Sequence, residues 1–290
     1  MALVATGHGR SGTAAVRDAA TGEPTAVIPL PPGGAEWLHV TRAGAPGTFY
    51  AAVRFEDLRI GVLRVEIGVD GEPRDLTPLP GERLGAFDPT CMAASPDGAQ
   101  ILLACTRAGG PELAHLLGTD GSRRGIGVGR TGEVTGVTWA EGGRVAFLWM
   151  PGTPHGATEV RVACLEPGGD LVPGSAVIAT SLPRSNMVLD VVIGRDGGTF
   201  YLTTVEAEVT DGEPRWTRLL AFSGGPDPHV LFELRGPDPQ GAPEMWQRTA
   251  MCGCGGELLA FASGSAYRIG LGGGWERLPF PEGRPYSAAW

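Results

Sequence analysis

Acidic and histidine side chains that could bind a cation or a basic ligand fall in a few loop-like segments of the sequence. The candidates in these segments are His8, Glu56, Asp57, His155, Glu206 and Glu208. Carboxylate oxygens are the ligands that hard cations prefer, and imidazole suits transition metals. The alternative is that these residues are ordinary solvated loop charges, which is how most Asp and Glu occur.

Other chemical motifs are present only in incomplete form. The Cys252-Gly253-Cys254 pair could hold a soft metal, but zinc needs four ligands and no second pair has matching spacing. Residues 7–12 and 127–132 match G-x-G-x-x-G, yet no helix is expected after either, and a dinucleotide site requires one. No G-x-S-x-G elbow occurs. We therefore predict no cofactor, no metal and no catalytic residue, and an enzyme is less expected than a binding protein.

Composition restricts the class of partner. The chain has 290 residues, a formal net charge of −9 and 23 basic residues, all of them Arg. An acidic chain with scattered Arg argues against nucleic acid as a partner, because phosphate neutralisation dominates that binding.

No apolar run approaches the ~20 residues of a membrane span. The first residues do not resemble a signal peptide. The expected location is therefore cytoplasmic, or extracytoplasmic if the chain is a fragment of an anchored protein.

The elements that would position these residues are short strands separated by glycine-containing turns. Strongly apolar runs begin at residues 2, 49, 101, 145, 200 and 258. A more amphipathic strand, a turn and a weaker outer strand follow each of them, and an inner strand precedes five of the six. Gly and Pro supply the turns between them. The seven tryptophans recur about once per unit and are expected to pack between sheets.

This pattern resembles the WD-type and TolB-type β-propeller families, most specifically at Ser95-Pro96-Asp97-Gly98 and the apolar run after it. Similarity to actinobacterial propeller proteins of unassigned role is also apparent. The resemblance implies an all-β, six-bladed propeller of four-stranded blades in one domain. The last residues, 286–290, are expected to pair with the N-terminal blade and close the ring. The predicted blades are residues 1–30 with 286–290, 35–79, 88–128, 133–180, 187–235 and 245–280.

Such a ring predicts a binding function on one face. The loops between the second and third strands would share that face and carry the acidic and histidine candidates, with Asn186 and Asp190 near the central channel. We expect a non-catalytic binding or scaffold module, monomeric, that holds a protein, peptide or small ligand. The alternatives are a metal-dependent lactonase-type hydrolase or lyase with its site in the channel, and the sensor part of an anchored protein.

Overall fold

The structure is a computed structural model. It describes residues 2–6, 13–85, 88–106, 113–129, 131–152, 157–165, 170–180, 187–194, 198–207, 214–222, 229–235, 251–254, 257–262, 265–278 and 287–289. The described residues form strands, turns and one short 3₁₀ segment, Glu141–Gly143. Within these ranges no helix has the length and hydropathy of a membrane span.

The strands form antiparallel four-stranded sheets. Blade 1 contains β4 (Gly34–Arg42), β5 (Thr48–Phe55), β6 (Ile60–Ile67) and β7 (Pro73–Pro78); blade 2 contains β8 (Asp88–Ala94), β9 (Gln100–Thr106), β10 (Leu113–Gly118) and β11 (Arg123–Gly127); blade 3 contains β12 (Gly132–Trp139), β13 (Arg144–Pro151), β14 (Glu159–Cys164) and β15 (Ser175–Thr180). Blade 4 contains β16 (Met187–Ile193), β17 (Phe200–Ala207), β18 (Pro214–Phe222) and β19 (His229–Arg235); blade 5 contains β20 (Met251–Cys254), β21 (Glu257–Ala262), β22 (Ser265–Gly270) and β23 (Trp275–Leu278).

The two chain ends form a further sheet of a different kind, here called the terminal sheet. It contains β1 (Ala2–Thr6), β2 (Ala14–Asp18) and β3 (Pro24–Ile28), with the three-residue strand β24 (Ser287–Ala289) beside β1. The pairing of β24 with β1 is antiparallel and aligns Ala289 with Val4. The innermost strands β24, β4, β8, β12, β16 and β20 contact one another in that order and return to β24. The expected meeting of the chain ends is therefore present.

The predicted count of six blades needs a correction. Five sheets are blades of four consecutive strands, and the sixth place in the ring is taken by the composite terminal sheet. The sequence prediction treated that sheet as an equal blade. It differs because the N-terminal stretch supplies only three strands before β4 begins, and its fourth comes from the far end of the chain with three residues.

Alternating side chains of the middle strands fill the spaces between neighbouring sheets. In β9, Ile101 and Leu103 pack in the apolar layer shared with blade 1. Leu102 and Ala104 pack in the layer shared with blade 3. A strand buried on both faces reads as a continuous apolar run, which is how β9 looks in the sequence.

Hydrogen bonds from side chains to main-chain carbonyls also join successive blades. The Tyr50 hydroxyl of β5 donates to the Gly98 carbonyl at 2.7 Å, and the Thr90 hydroxyl of β8 donates to the Val134 carbonyl at 2.6 Å. The first of these reaches the Ser95–Gly98 turn that carried the family resemblance. Gly98 has φ of 70°, and a Cβ there would lie 2.9 Å from the Gly44 nitrogen. This turn therefore fits tightly against blade 1.

Candidate binding face

One face of the ring carries the ends of the second strands and the first residues of the inner and third strands. In blade 1, Gly34 at the start of β4 lies opposite Phe55 at the end of β5. The β5–β6 turn and the 29–33 connection are therefore neighbours. We call this the upper face, and the face with the β4–β5 and β6–β7 turns the lower face.

The β5–β6 turn at the upper face has a tightly defined backbone. The Leu58 amide donates to the Phe55 carbonyl at 2.9 Å, and the Phe55 amide donates to the Arg59 carbonyl at 2.9 Å. Leu58 has φ of 64°, in the left-handed region. This arrangement matches a type I turn followed by a left-handed residue, a position that usually holds glycine. Leu58 is 61% exposed and is the one non-glycine residue with positive φ among the described residues.

Connections on both sides hold this turn in place. The Glu56 amide donates to the Gly33 carbonyl at 3.0 Å. On the other side Ile60 and Leu84 form an isolated antiparallel bridge, with amide-to-carbonyl distances of 3.2 and 2.7 Å. Backbone hydrogen bonds of this kind limit local opening. The backbone of the β5–β6 turn therefore has a defined conformation before any partner binds.

Arg83 lies across the same turn. Its Cζ atom is 3.3 Å from the centroid of the Phe55 ring, and its Nη1 atom is 3.6 Å from Asp57 Oδ2. Stacking of a guanidinium on an aromatic ring contributes about 0.5–1 kcal/mol at exposed sites. These two contacts hold the Arg83 guanidinium against the β5–β6 turn on the upper face.

A second arginine joins blades 1 and 2 where their inner strands begin. Arg54 Nη1 is 3.4 Å from Glu36 Oε2, and Arg54 Nη2 is 2.7 Å from Asp88 Oδ1. Glu36 is on β4 and Asp88 is the first residue of β8. Because the Asp88 side chain is 72% exposed, the pair with it contributes under about 1 kcal/mol. Its main consequence is positional, since it holds a carboxylate of β4 and a carboxylate of β8 on one guanidinium.

Exposed apolar side chains accompany these charges. Leu30 is 40% exposed in the 29–33 connection, and Met150 is 39% exposed near the end of β13. Together with Leu58 they place three large apolar side chains on the upper face. Val69, in the β6–β7 turn of the lower face, is fully exposed. At the β5–β6 turn the exposed Leu58 follows Asp57 and precedes Arg59, and an apolar side chain among charged ones is a usual feature of protein-binding surfaces.

The structure locates the sequence-predicted site residues unevenly. Glu56 and Asp57 are exposed on the β5–β6 turn, where the Asp57 carboxylate accepts the Arg59 amide at 3.1 Å. Asp190 is on β16 opposite Thr203. Glu206 is on β17 at the upper end of blade 4. The residues outside the described ranges are His8, His155, Asn186 and Glu208.

The described residues do not form a metal centre. Across those ranges no group of three or more His, Cys, Asp or Glu side chains is placed to hold an ion. Burial raises the pKa of the Cys105 thiol to about 12, with a smaller contribution from the Asp88 carboxylate. Cys105 is therefore a neutral, buried side chain at physiological pH and unsuited to nucleophilic chemistry.

Sequence reasoning missed Glu36, Arg54, Arg83 and Asp88. Their residue types gave no signal, because isolated charged side chains are common on protein surfaces. A signal for two of them exists in hindsight, since Glu36 and Asp88 stand at the beginning of inner strands that enter the ring from the same face. Asp88 is also the first residue of the predicted blade 88–128, but nothing in the sequence indicated that it would contact Arg54.

Comparisons with known proteins support the fold. No family model matches the chain, and no curated protein matches it. TolB from Acinetobacter baumannii is similar in structure, with a TM-score of 0.63 and 10% identity over 100% of this chain and 66% of that chain. The chain thus spans 66% of the length of that TolB structure.

Two further structures are similar. The β-propeller domain of Cps50 (Swd1) from Myceliophteria thermophila gives a TM-score of 0.53 and 12% identity over 98% of this chain and 86% of that chain. A putative 6-phosphogluconolactonase from Bacteroides uniformis gives a TM-score of 0.51 and 13% identity over 99% of this chain and 98% of that chain. The chain has a β-propeller fold. The predicted resemblance to TolB-type and WD-type propellers is confirmed for the fold, and identities of this size carry no function.

Proposed function

We propose that the protein is a non-catalytic binding or scaffold propeller that holds a protein or peptide on its upper face around the β5–β6 turn. The observation that carries the proposal is Leu58, a large apolar side chain that is 61% exposed in a backbone conformation unfavourable to leucine. A left-handed conformation costs a residue with a Cβ about 1–2 kcal/mol. A glycine or a polar residue would serve the turn better, so a contact with a partner is the function that this choice supports.

The surroundings of Leu58 support the same proposal. Residues 29–33 and 79–85 fix the turn from both sides, so a partner would bind a surface that needs little ordering. Preorganised surfaces lose less conformational entropy on binding and therefore bind more tightly for a given area. Arg83 and Asp57 beside Leu58 would give the contact polar specificity.

Affinity enrichment from a lysate of the native host tests the proposal. The variant Leu58→Asp puts a charge in place of the exposed apolar side chain of the β5–β6 turn, and Val69→Asp puts the same charge on a fully exposed apolar position of the lower face. We expect a protein or peptide that is enriched equally by the wild type and by Val69→Asp, and whose enrichment is at least tenfold lower with Leu58→Asp. A partner retained by both variants, or lost with both, would refute binding at this turn.

The lactonase-type alternative has support from fold-level similarity alone. Its test is hydrolysis of sugar-acid lactones by the purified protein with added divalent cations, before and after chelation. Chelator-sensitive turnover would replace the binding proposal with a catalytic one.

A further inference from the structure

The connection from β3 to β4 carries a short proline segment, Pro29-Leu30-Pro31-Pro32. It contains the one pair of adjacent prolines in the chain, and its first and last prolines have the P-x-x-P spacing. No charged residue occurs from residue 24 to residue 35. The segment lies on the upper face beside the β5–β6 turn, because the Gly33 carbonyl accepts the Glu56 amide at 3.0 Å.

Local restraints give the segment an extended backbone. A proline ring fixes φ at about −65°, and a residue that precedes proline is kept out of the helical region. The Gly34 amide donates to the Pro31 carbonyl at 2.8 Å, and Gly33 has φ of 72°. This is the pattern of a type II turn with proline at its second position, where Pro32 keeps an extended backbone. Residues 29–32 are therefore restricted to the polyproline II region, which has three residues per turn.

Contacts at both ends hold the segment in place. The indole nitrogen of the buried Trp37 donates to the Ile28 carbonyl at 3.3 Å, directly before the first proline. At the other end, a Cβ on Gly34 would lie 2.9 Å from the Pro31 carbonyl oxygen, so this close turn requires glycine. A segment held in this way loses little conformational entropy when a partner binds it.

The outward side of the segment is apolar and accessible. Pro29, Leu30 and Pro32 are exposed, and Val27, in the strand that leads to them, is 66% exposed. Three residues per turn place Pro29 and Pro32 on the same ridge. Within the part of the chain that the structure describes, no donor binds the carbonyl of Pro29, Leu30 or Pro32. The segment therefore offers proline rings and open hydrogen-bond acceptors, and three of its four residues have no amide proton.

We propose that residues 29–32 are a polyproline ligand, which a partner protein binds in a groove lined by aromatic side chains. Tyrosine and tryptophan pack against proline rings, and their hydroxyl and indole groups donate to carbonyls, so such a groove complements both features of the segment. The inference rests on the proposed function, because it identifies the class of partner that binds the upper face.

A partner that adds a β-strand fits this region less well. The edge of β3 is five residues long and begins with Pro24, and Pro29 follows its last residue. Neither proline can donate a hydrogen bond to an added strand. The absence of amide protons, which weakens strand addition, does not affect binding in an aromatic groove.

Binding to purified polyproline-recognition modules tests the inference on the full chain. The probes are three isotope-labelled domains with aromatic-lined grooves, of the SH3, WW and EVH1 types, observed through the NMR signals of their groove aromatic side chains. At least one module should bind the wild type with a Kd below about 1 mM, with shifts centred on its groove. Leu30→Asp and the double variant Pro29→Ala/Pro32→Ala should each weaken binding at least tenfold.

Two matched variants control for these changes. Val177→Asp puts the same charge on an apolar residue of β15 that is 46% exposed, close to the 40% of Leu30. Pro24→Ala removes an exposed proline that lies outside the segment. Neither control should change the Kd.

The other outcomes overturn the inference. If none of the three modules binds, or if binding is unchanged by Leu30→Asp and by the double variant, residues 29–32 are not a polyproline ligand. Equal weakening by the controls would show that the contact is not specific to this segment. These failures are distinct from failure of the proposed function, because loss of enrichment with Leu58→Asp would still support a partner of another class on the upper face.

Discussion

The left-handed backbone at Leu58 can be tested by comparing alanine and glycine at that position. Both variants lose the same partly buried leucine side chain, so the lost burial cancels between them. They differ in the Cβ, which costs about 1–2 kcal/mol in a left-handed conformation. Opposing this, glycine loses more chain entropy on folding, by about 0.5–1 kcal/mol. The net expectation is that Leu58→Gly is more stable than Leu58→Ala by about 0.5–1 kcal/mol.

Val69 provides the control for this comparison. It is also an exposed apolar residue in a turn, and it is not among the residues with positive φ. The order should therefore reverse there, with Val69→Ala more stable than Val69→Gly by about 0.5–1 kcal/mol.

Urea unfolding of the four variants at fixed pH and temperature, with a common m-value, gives the required differences. If Leu58→Gly is no more stable than Leu58→Ala, or if both sites rank the two residues alike, the strain at Leu58 is absent. Leu58 would then no longer support partner binding at the upper face.

Three further predictions concern the rest of the ring. Burial, and secondarily the Arg123 charge, lowers the pKa of His115 from 6.5 to about 4, so on acidification the unfolded chain is protonated before the folded one. The free energy of unfolding should therefore fall by up to roughly 3 kcal/mol as the pH drops from 6.5 to 4, and urea unfolding of His115→Phe at each pH should lack this fall. Arg161 is buried and donates to Ser175 Oγ at 2.7 Å, so Arg161→Ala should lower the free energy of unfolding by about 2–4 kcal/mol in the same assay. Arg64 is half-exposed, so Arg64→Ala should cost under about 1 kcal/mol, and equal losses would show that the buried contacts of Arg161 do not stabilise the fold. Deletion of residues 286–290 removes β24 and should cost at least about 2 kcal/mol in calorimetry, and an unchanged melting temperature would mean that β24 does not hold the ring closed.

The sequence predicted the strands that are apolar on both faces and missed features that depend on register. The run Ile101–Cys105 lies within β9, and Phe49–Val53 lies within β5, because burial on both sides leaves a continuous apolar signal. The short closing strand was also predicted, because the first unit lacks an inner strand and residues 286–290 fit the missing place. The predicted count of six blades was wrong because the sheet formed by the two chain ends, although expected from residues 1–30 and 286–290, was counted as a full blade.

The binding face was harder to predict because its contacts join distant positions. Arg54 meets Glu36 and Asp88, which are 18 and 34 residues away. A local sequence pattern cannot predict contacts between residues so far apart in the chain. The expectation that tryptophans pack between sheets held for Trp37 and Trp149, which are buried, and was wrong for Trp275. Trp275 is 51% exposed because it begins the outer strand β23, where one side of the sheet faces water.

Binding at the upper face is the central claim, and a hydrogen-exchange footprint of the enriched partner on this protein tests it most directly. The claim predicts slowed exchange in residues 29–33, 54–60 and 79–85 of the complex, with the lower-face turns at 68–72 and 95–99 unchanged. Protection confined to the lower-face turns, with the β5–β6 turn exchanging as in the free protein, would contradict it.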